Sequence, residues 1–133
     1  MRWWSTAGAT ARGRPVVERL LPEPDDYCVL KPKHSASYST SLDVLLASLQ
    51  AQTPILTGIA GDHCVLFTAH DGFLRDSRRV VPAACLASLD PASDAYTLGR
   101  LRDVLEADLT PSDALDLAAL ARRAPLPPGP RVP

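Results

Sequence analysis

Apolar residues recur along this chain with two alternating periods. Leu42, Leu45, Leu46 and Leu49 follow helical spacing and predict an amphipathic helix over 40–50, with Thr40 or Ser41 as its cap. Before it, Tyr27 to Leu30 form a continuous β-prone run that ends at Lys31 and Pro32, which predicts a strand. After it, Pro54 to Gly58 reads as a buried strand and Gly58 to Asp62 as a turn. A helix over 63–75 follows, with Leu66, Ala69 and Phe73 on one face and Asp62 placed as its N-cap. Val80 and Val81 centre a further short strand. A helix over 92–105 carries Tyr96, Leu98, Leu101 and Leu105 toward the core. Glu106 to Leu109 reads as an edge strand, and Thr110-Pro111 opens a last helix reaching 121. The segment 15–22, bounded by prolines, is one helical turn or an extended stretch.

Strands alternating with helices make this an α/β chain with a mainly parallel sheet. Sites in such sheets form in loops beyond the carboxyl ends of strands. Two loops qualify, 31–40 and 58–64. The pattern divides the chain into a disordered arm (1–14), a domain (15–121) and a Pro-rich disordered tail (122–133). In the arm, Trp3 and Trp4 either dock loosely or pack on a partner surface.

Composition narrows this picture. With 133 residues, 46% of them hydrophobic, the chain can bury one core. The 14 basic and 15 acidic residues nearly cancel, so no general attraction to nucleic acid or anionic membrane is expected. No apolar run approaches the roughly 20 residues that span a bilayer, and the first residues lack a signal-peptide core. The expected location is the cytoplasm. Three cysteines without CxxC spacing argue against a disulfide framework and against a cysteine zinc site. His34, His63 and His70 show no metal-ligand spacing. No metal or cofactor is expected.

The chemistry concentrates at Cys64. It opens a predicted helix directly after a strand, where unpaired N–H groups and the helix dipole favour thiolate and can hold an oxyanion. The plain alternative is an inert small hydrophobe, and that reading is favoured for Cys28 and Cys85. Lys31 ends a predicted strand; it is either a solvated lysine or an ammonium that stabilises negative charge on a neighbouring thiol.

Three strings carry a resemblance: LKPKHSA over 30–36, TSLD over 40–43 and LTGIAGDHCVLFTA over 56–69. In order and spacing they resemble the isochorismatase-like cysteine hydrolases, a group that includes isochorismatases, nicotinamidases and N-carbamoylsarcosine amidases. The likeness runs from about Pro15 to Leu109. It implies a three-layer α/β/α fold of Rossmann-type order. It also implies an Asp–Lys–Cys triad in which Cys64 matches the nucleophile and Lys31 the lysine. Ile59 and Ala60 match the family's cis peptide bond, and the amides of Ala60 and Cys64 its oxyanion hole. The family's aspartate comes from a first strand, and nothing in 1–14 matches it, so the first strands are expected to be missing here. Ser37 stands where an aromatic residue is usual, with Tyr38 one place off, and Ala84 where an acidic residue is frequent.

The expected function is therefore a cysteine hydrolase acting on a small metabolite, impaired by loss of that aspartate. The alternative is an inactive family member serving as a binding or oligomeric interaction module. The expected partners are a small-molecule substrate and further copies of the chain.

Overall fold

The computed structural model describes residues 14–122. Its helices are α1 (Arg14–Arg19), α2 (Leu42–Ser48), α3 (Leu66–Leu74), α4 (Pro91–Asp103) and α5 (Leu117–Ala121), and its strands are β1 (Gly58–Ile59) and β2 (Leu86–Ala87). A π-turn over Gly61–Val65 leads into α3, and 3-10 turns occupy Ala83–Cys85 and Ser112–Ala114. The arm and the tail lie outside the described residues, apart from Arg14 and Arg122.

The sheet is parallel and short. Gly58 pairs with Leu86 and Ile59 with Ala87. Isolated parallel bridges join Ile55 to Val80 and Val80 to Asp108. Backbone bonds run from Leu56 N to Val80 O (2.8 Å) and from Val81 N to Asp108 O (2.8 Å). Three rows result, with the one through Val80 in the middle. The residues expected as strands at 54–58, 80–81 and 106–109 thus supply the three rows.

Successive strand side chains point to opposite faces. Val81 accordingly joins a core of Val65, Leu66, Ala69, Leu86, Leu101, Leu105 and Ala107, whereas Val80 is buried outside that cluster. Apolar burial at this scale contributes roughly 25 cal/mol per Å².

The run from Tyr27 to Leu30, expected as a strand, has no ladder among the described residues. A strand exists through hydrogen bonds to a neighbour, and here none pairs with it; Leu30 is 91% exposed. The core face of α4 also differs from expectation. Thr97 and Leu101, four residues apart, are buried, as is Leu105 just beyond the helix end, whereas Tyr96 is 63% exposed. Hydrophobicity favoured the tyrosine; the helical period places the smaller Thr97 in line with Leu101. The last helix is divided as well: a 3-10 turn at Ser112–Ala114 precedes α5, which Asp116 caps by accepting from Ala119 N (2.8 Å).

Asp90 caps α4. Its Oδ1 accepts from Ala92 N and Ser93 N, both at 2.9 Å. The Ser93 N–H, ahead of the Ser93 hydroxyl, holds the Asp90 carboxyl below the usual carboxylate range. A carboxyl lowered by folding contributes stability above its unfolded value, and that contribution is lost as pH falls through the folded one. Asp90→Asn keeps the cap but loses the charge. Its melting temperature should lie below that of the parent at neutral pH, with the gap closing as the solution is acidified below the carboxylate range. A gap independent of pH would show that the charge at Asp90 contributes nothing.

Candidate active site

The site grows out of the carboxyl end of β1. Gly58 has φ of +127°, a backbone conformation that side chains rarely adopt. The following Ile59–Ala60 peptide bond is cis. At Gly61 a Cβ would lie 2.8 Å from Leu86 Cδ1 and 3.0 Å from Ser88 Oγ, so a hydrogen there lets the turn press against β2. The Ala60 carbonyl accepts from His63 N (3.2 Å) and Val65 N (3.3 Å), the second an i to i+5 bond that makes the turn a π-turn. Cys64 sits inside it, half-buried.

Asp62 is not the N-cap. Ala60 occupies that position, without a side-chain bond. The Asp62 carboxylate turns to its neighbour instead, with Oδ1 lying 3.0 Å from His63 Nδ1. The pair is close but bent: Oδ1 is buried, and no partner meets it with hydrogen-bond alignment. Proximity to His63, ahead of the Ser88 hydroxyl, lowers the Asp62 carboxyl below its ordinary range.

Lys31 reaches Cys64 across the loop. Its Nζ lies 3.1 Å from Sγ and also donates to the carbonyls of His34 (3.0 Å) and Lys33 (3.3 Å). Among the described residues no carboxylate pairs with Lys31, and Asp26 is used locally, accepting from Glu23 N (2.8 Å).

The lysine loop is held on α3 by residues that the motif reading passed over. Ala36 N donates to Thr68 Oγ1 (3.0 Å), and Thr68 Oγ1 donates to the Cys64 carbonyl (2.7 Å). Buried Ser35 donates to the Asp71 carboxylate and accepts from Ser37 N (3.1 Å). Arg75 joins Asp71 to Asp43 of α2, donating from Nε to Asp43 Oδ2 at 2.9 Å. Thr68 and Asp71 stand four and seven residues after Cys64, so helical spacing alone could have flagged them as polar positions on the cysteine's own face.

The remaining wall is aromatic. The His34 ring lies edge-on to His63 (centroids 5.4 Å apart) and tilted against Phe67 (5.5 Å). Phe67 is exposed. A cavity of about 500 Å³ between 50–55 and α5 lies apart from this chemistry, as does a smaller one of about 240 Å³ between α2 and α3; Cys64 lines neither. Cys28 is exposed in the unpaired 27–30 stretch, and Cys85 ends a 3-10 turn. Among the described residues no three His, Cys, Asp or Glu side chains gather as metal ligands. No helix there is long and apolar enough to cross a membrane.

The family model for the isochorismatase domain matches residues 2–113. The chain belongs to the isochorismatase domain family. Among curated relatives, the uncharacterized isochorismatase family protein YaaI of Bacillus subtilis is 38% identical over 104 residues, covering 78% of this chain and 58% of that protein. Among solved structures, an isochorismatase family protein from Desulfovibrio vulgaris superposes with a TM-score of 0.71 at 27% identity, covering 77% of this chain and 53% of that one. The N-carbamoylsarcosine amidase of Thermoplasma acidophilum follows with a TM-score of 0.62 at 32% identity, covering 71% and 53%. The chain therefore spans little more than half the length of these relatives. The shared architecture is the isochorismatase-like α/β fold, consistent with three layers about a parallel sheet.

Proposed function

We propose that this isochorismatase-family chain carries the nucleophile half of a hydrolase site for a carbon–nitrogen bond in a small metabolite. The observation that carries the reading is the Lys31 Nζ to Cys64 Sγ contact of 3.1 Å at the carboxyl end of β1. The ammonium attracts negative charge on sulfur, and the thiolate attacks the substrate carbonyl. The amides of Ala60 and Cys64 receive the oxyanion. The leaving group departs, and water then cleaves the thioester. The neighbouring amidase structure supports the choice of bond, because its own name gives an amide-type substrate.

Alkylation separates this reading from simple access. Cys28 is the exposed thiol and Cys64 only half-buried. Access alone would label Cys28 first; a stabilised thiolate makes Cys64 first. In neutral solution iodoacetamide should modify Cys64 about ten-fold faster than Cys28, and Lys31→Met should erase that advantage. Equal rates at the two thiols in the parent would sink the proposal.

A second reading has its own observation: no carboxylate among the described residues reaches the Lys31–Cys64 pair. That favours a module that binds without turnover, assembled with further copies of the chain through exposed apolar residues such as Leu30 and Ile59. Fast labelling of Cys64 without hydrolysis of any amide would select it.

A further inference from the structure

A sulfur that attacks carbon is also a sulfur that peroxide oxidises, and the fate of the oxidised atom depends on its neighbours. Sulfenic acid condenses with a nearby thiol or nitrogen; without either it proceeds to sulfinic and sulfonic acids, which thiols do not reverse. Among the described residues, the side-chain group within hydrogen-bond distance of Cys64 Sγ is Lys31 Nζ, at 3.1 Å. The other two thiols are free and belong to other elements, Cys28 to the exposed 27–30 stretch and Cys85 to a separate 3-10 turn. The next backbone nitrogen, Val65 N, is engaged with the Ala60 carbonyl (3.3 Å) inside the π-turn.

Nζ is also aimed. Its partners are Sγ and the carbonyls of His34 (3.0 Å) and Lys33 (3.3 Å), one for each N–H of an ammonium. When the proton on the sulfur side is lost, the lone pair left behind points at sulfur. Cys64 is half-buried and Lys31 exposed, which admits a molecule as small as hydrogen peroxide.

We infer that Cys64 and Lys31 form a peroxide-sensitive modification site, in which oxidation joins the two side chains by a reversible nitrogen–sulfur bond. The inference rests on the thiolate of the reading above and concerns regulation of the same site. The thiolate attacks one oxygen of hydrogen peroxide, the oxygen–oxygen bond breaks, and hydroxide leaves. Sulfur, oxidised by two electrons, is now a sulfenic acid. Nζ gives up its sulfur-side proton and bonds to sulfur, while the sulfur–oxygen bond breaks and the oxygen departs as water. The sum is thiol, amine and hydrogen peroxide giving the nitrogen–sulfur bond and two waters. Both the sulfur and the lysine are then consumed, so turnover stops. Two molecules of an added thiol restore them and become a disulfide. The bond shelters Sγ from irreversible oxidation.

The test uses the full chain carrying Cys28→Ala and Cys85→Ala, which leaves Cys64 as its one thiol and excludes an internal disulfide. After hydrogen peroxide at neutral pH, trypsin should release segment 20–33, which holds Lys31, joined to segment 34–75, which holds Cys64 and no methionine. The joined mass should lie about 2 Da below the sum of the two segments. Dithiothreitol should separate them. In the same chain with Lys31→Gln or Lys31→Arg, segment 34–75 should instead gain about 32 or 48 Da and should not recover in dithiothreitol. Arginine keeps the positive charge beside sulfur but stays protonated and offers no lone pair, so it separates the covalent bond from a merely electrostatic effect.

The map of the single-thiol chain decides the matter even if both lysine variants fail to fold. Segment 34–75 emerging unmodified, or as sulfinic or sulfonic acid with nothing joined to it, overturns this inference. So do joined segments in either Lys31 variant. The hydrolase reading falls with it only if iodoacetamide also labels Cys64 no faster than Cys28 in the parent.

Discussion

Cys64→Ala is expected to lower hydrolysis of any amide that the chain cleaves by about 1000-fold or more, into the background of the uncatalysed reaction. The size of the effect follows from the position of the sulfur. Sγ is the atom that Lys31 Nζ touches at 3.1 Å, and the backbone beside it is the π-turn following the cis Ile59–Ala60 bond. On the proposed reading, removing the sulfur takes away the atom that would form the covalent intermediate. Neither other thiol stands in for it: Cys28 belongs to the unpaired 27–30 stretch, and Cys85 to a separate 3-10 turn. The measurement is turnover of nicotinamide and an N-carbamoyl amino acid, with Cys28→Ala as the control that should leave turnover unchanged. Turnover surviving in Cys64→Ala would show that the sulfur is not the nucleophile.

Leu101→Ala is expected to be a strongly disruptive core substitution, costing about 3.5 kcal/mol, which is the middle of the range of roughly 2–5 kcal/mol for burying an alanine in a leucine's place. Leu101 is 0% exposed and lies in the cluster that joins α3, α4 and the row through Val81. α4 also packs on the Gly61–Val65 turn that holds Cys64. The cavity would thus open beneath the site rather than at the rim. Urea unfolding should show a lower midpoint with an unchanged slope. Tyr96→Ala provides the contrast. It removes a larger side chain from the same helix, but one that is 63% exposed, and should change stability by less than about 0.5 kcal/mol. Equal costs at the two positions would contradict the packing described for α4.

How much of the site was legible depended on how local each piece is. Gly58, Cys64 and Lys31 stand out because strand ends, glycine turns and helix starts are written in consecutive residues. Asp62 was misjudged on the same grounds. Its position before a helix suggests a cap, but the π-turn places the cap at Ala60 and leaves the carboxylate to His63. Ser35, Thr68 and Asp71 were missed because each is an ordinary polar residue until the loop folds onto α3 and their hydrogen bonds form. Tyr27 to Leu30 illustrates the opposite error, a β-prone run that no neighbour among the described residues converts into a strand.

By itself the sequence determined the alternation of helices and strand rows, the isochorismatase-type strings and the placing of a cysteine just beyond a strand and a glycine turn. These depend on periodicity and on backbone preferences within a few residues. Only the tertiary structure decided that Lys31, thirty-three residues away in sequence, lies 3.1 Å from Cys64. It alone decided that Thr97 rather than Tyr96 is buried, and that His63 faces a buried carboxylate oxygen. The physical reason is that these relations are set by how loops cross and side chains fill space between elements, and no period along the chain encodes such distances.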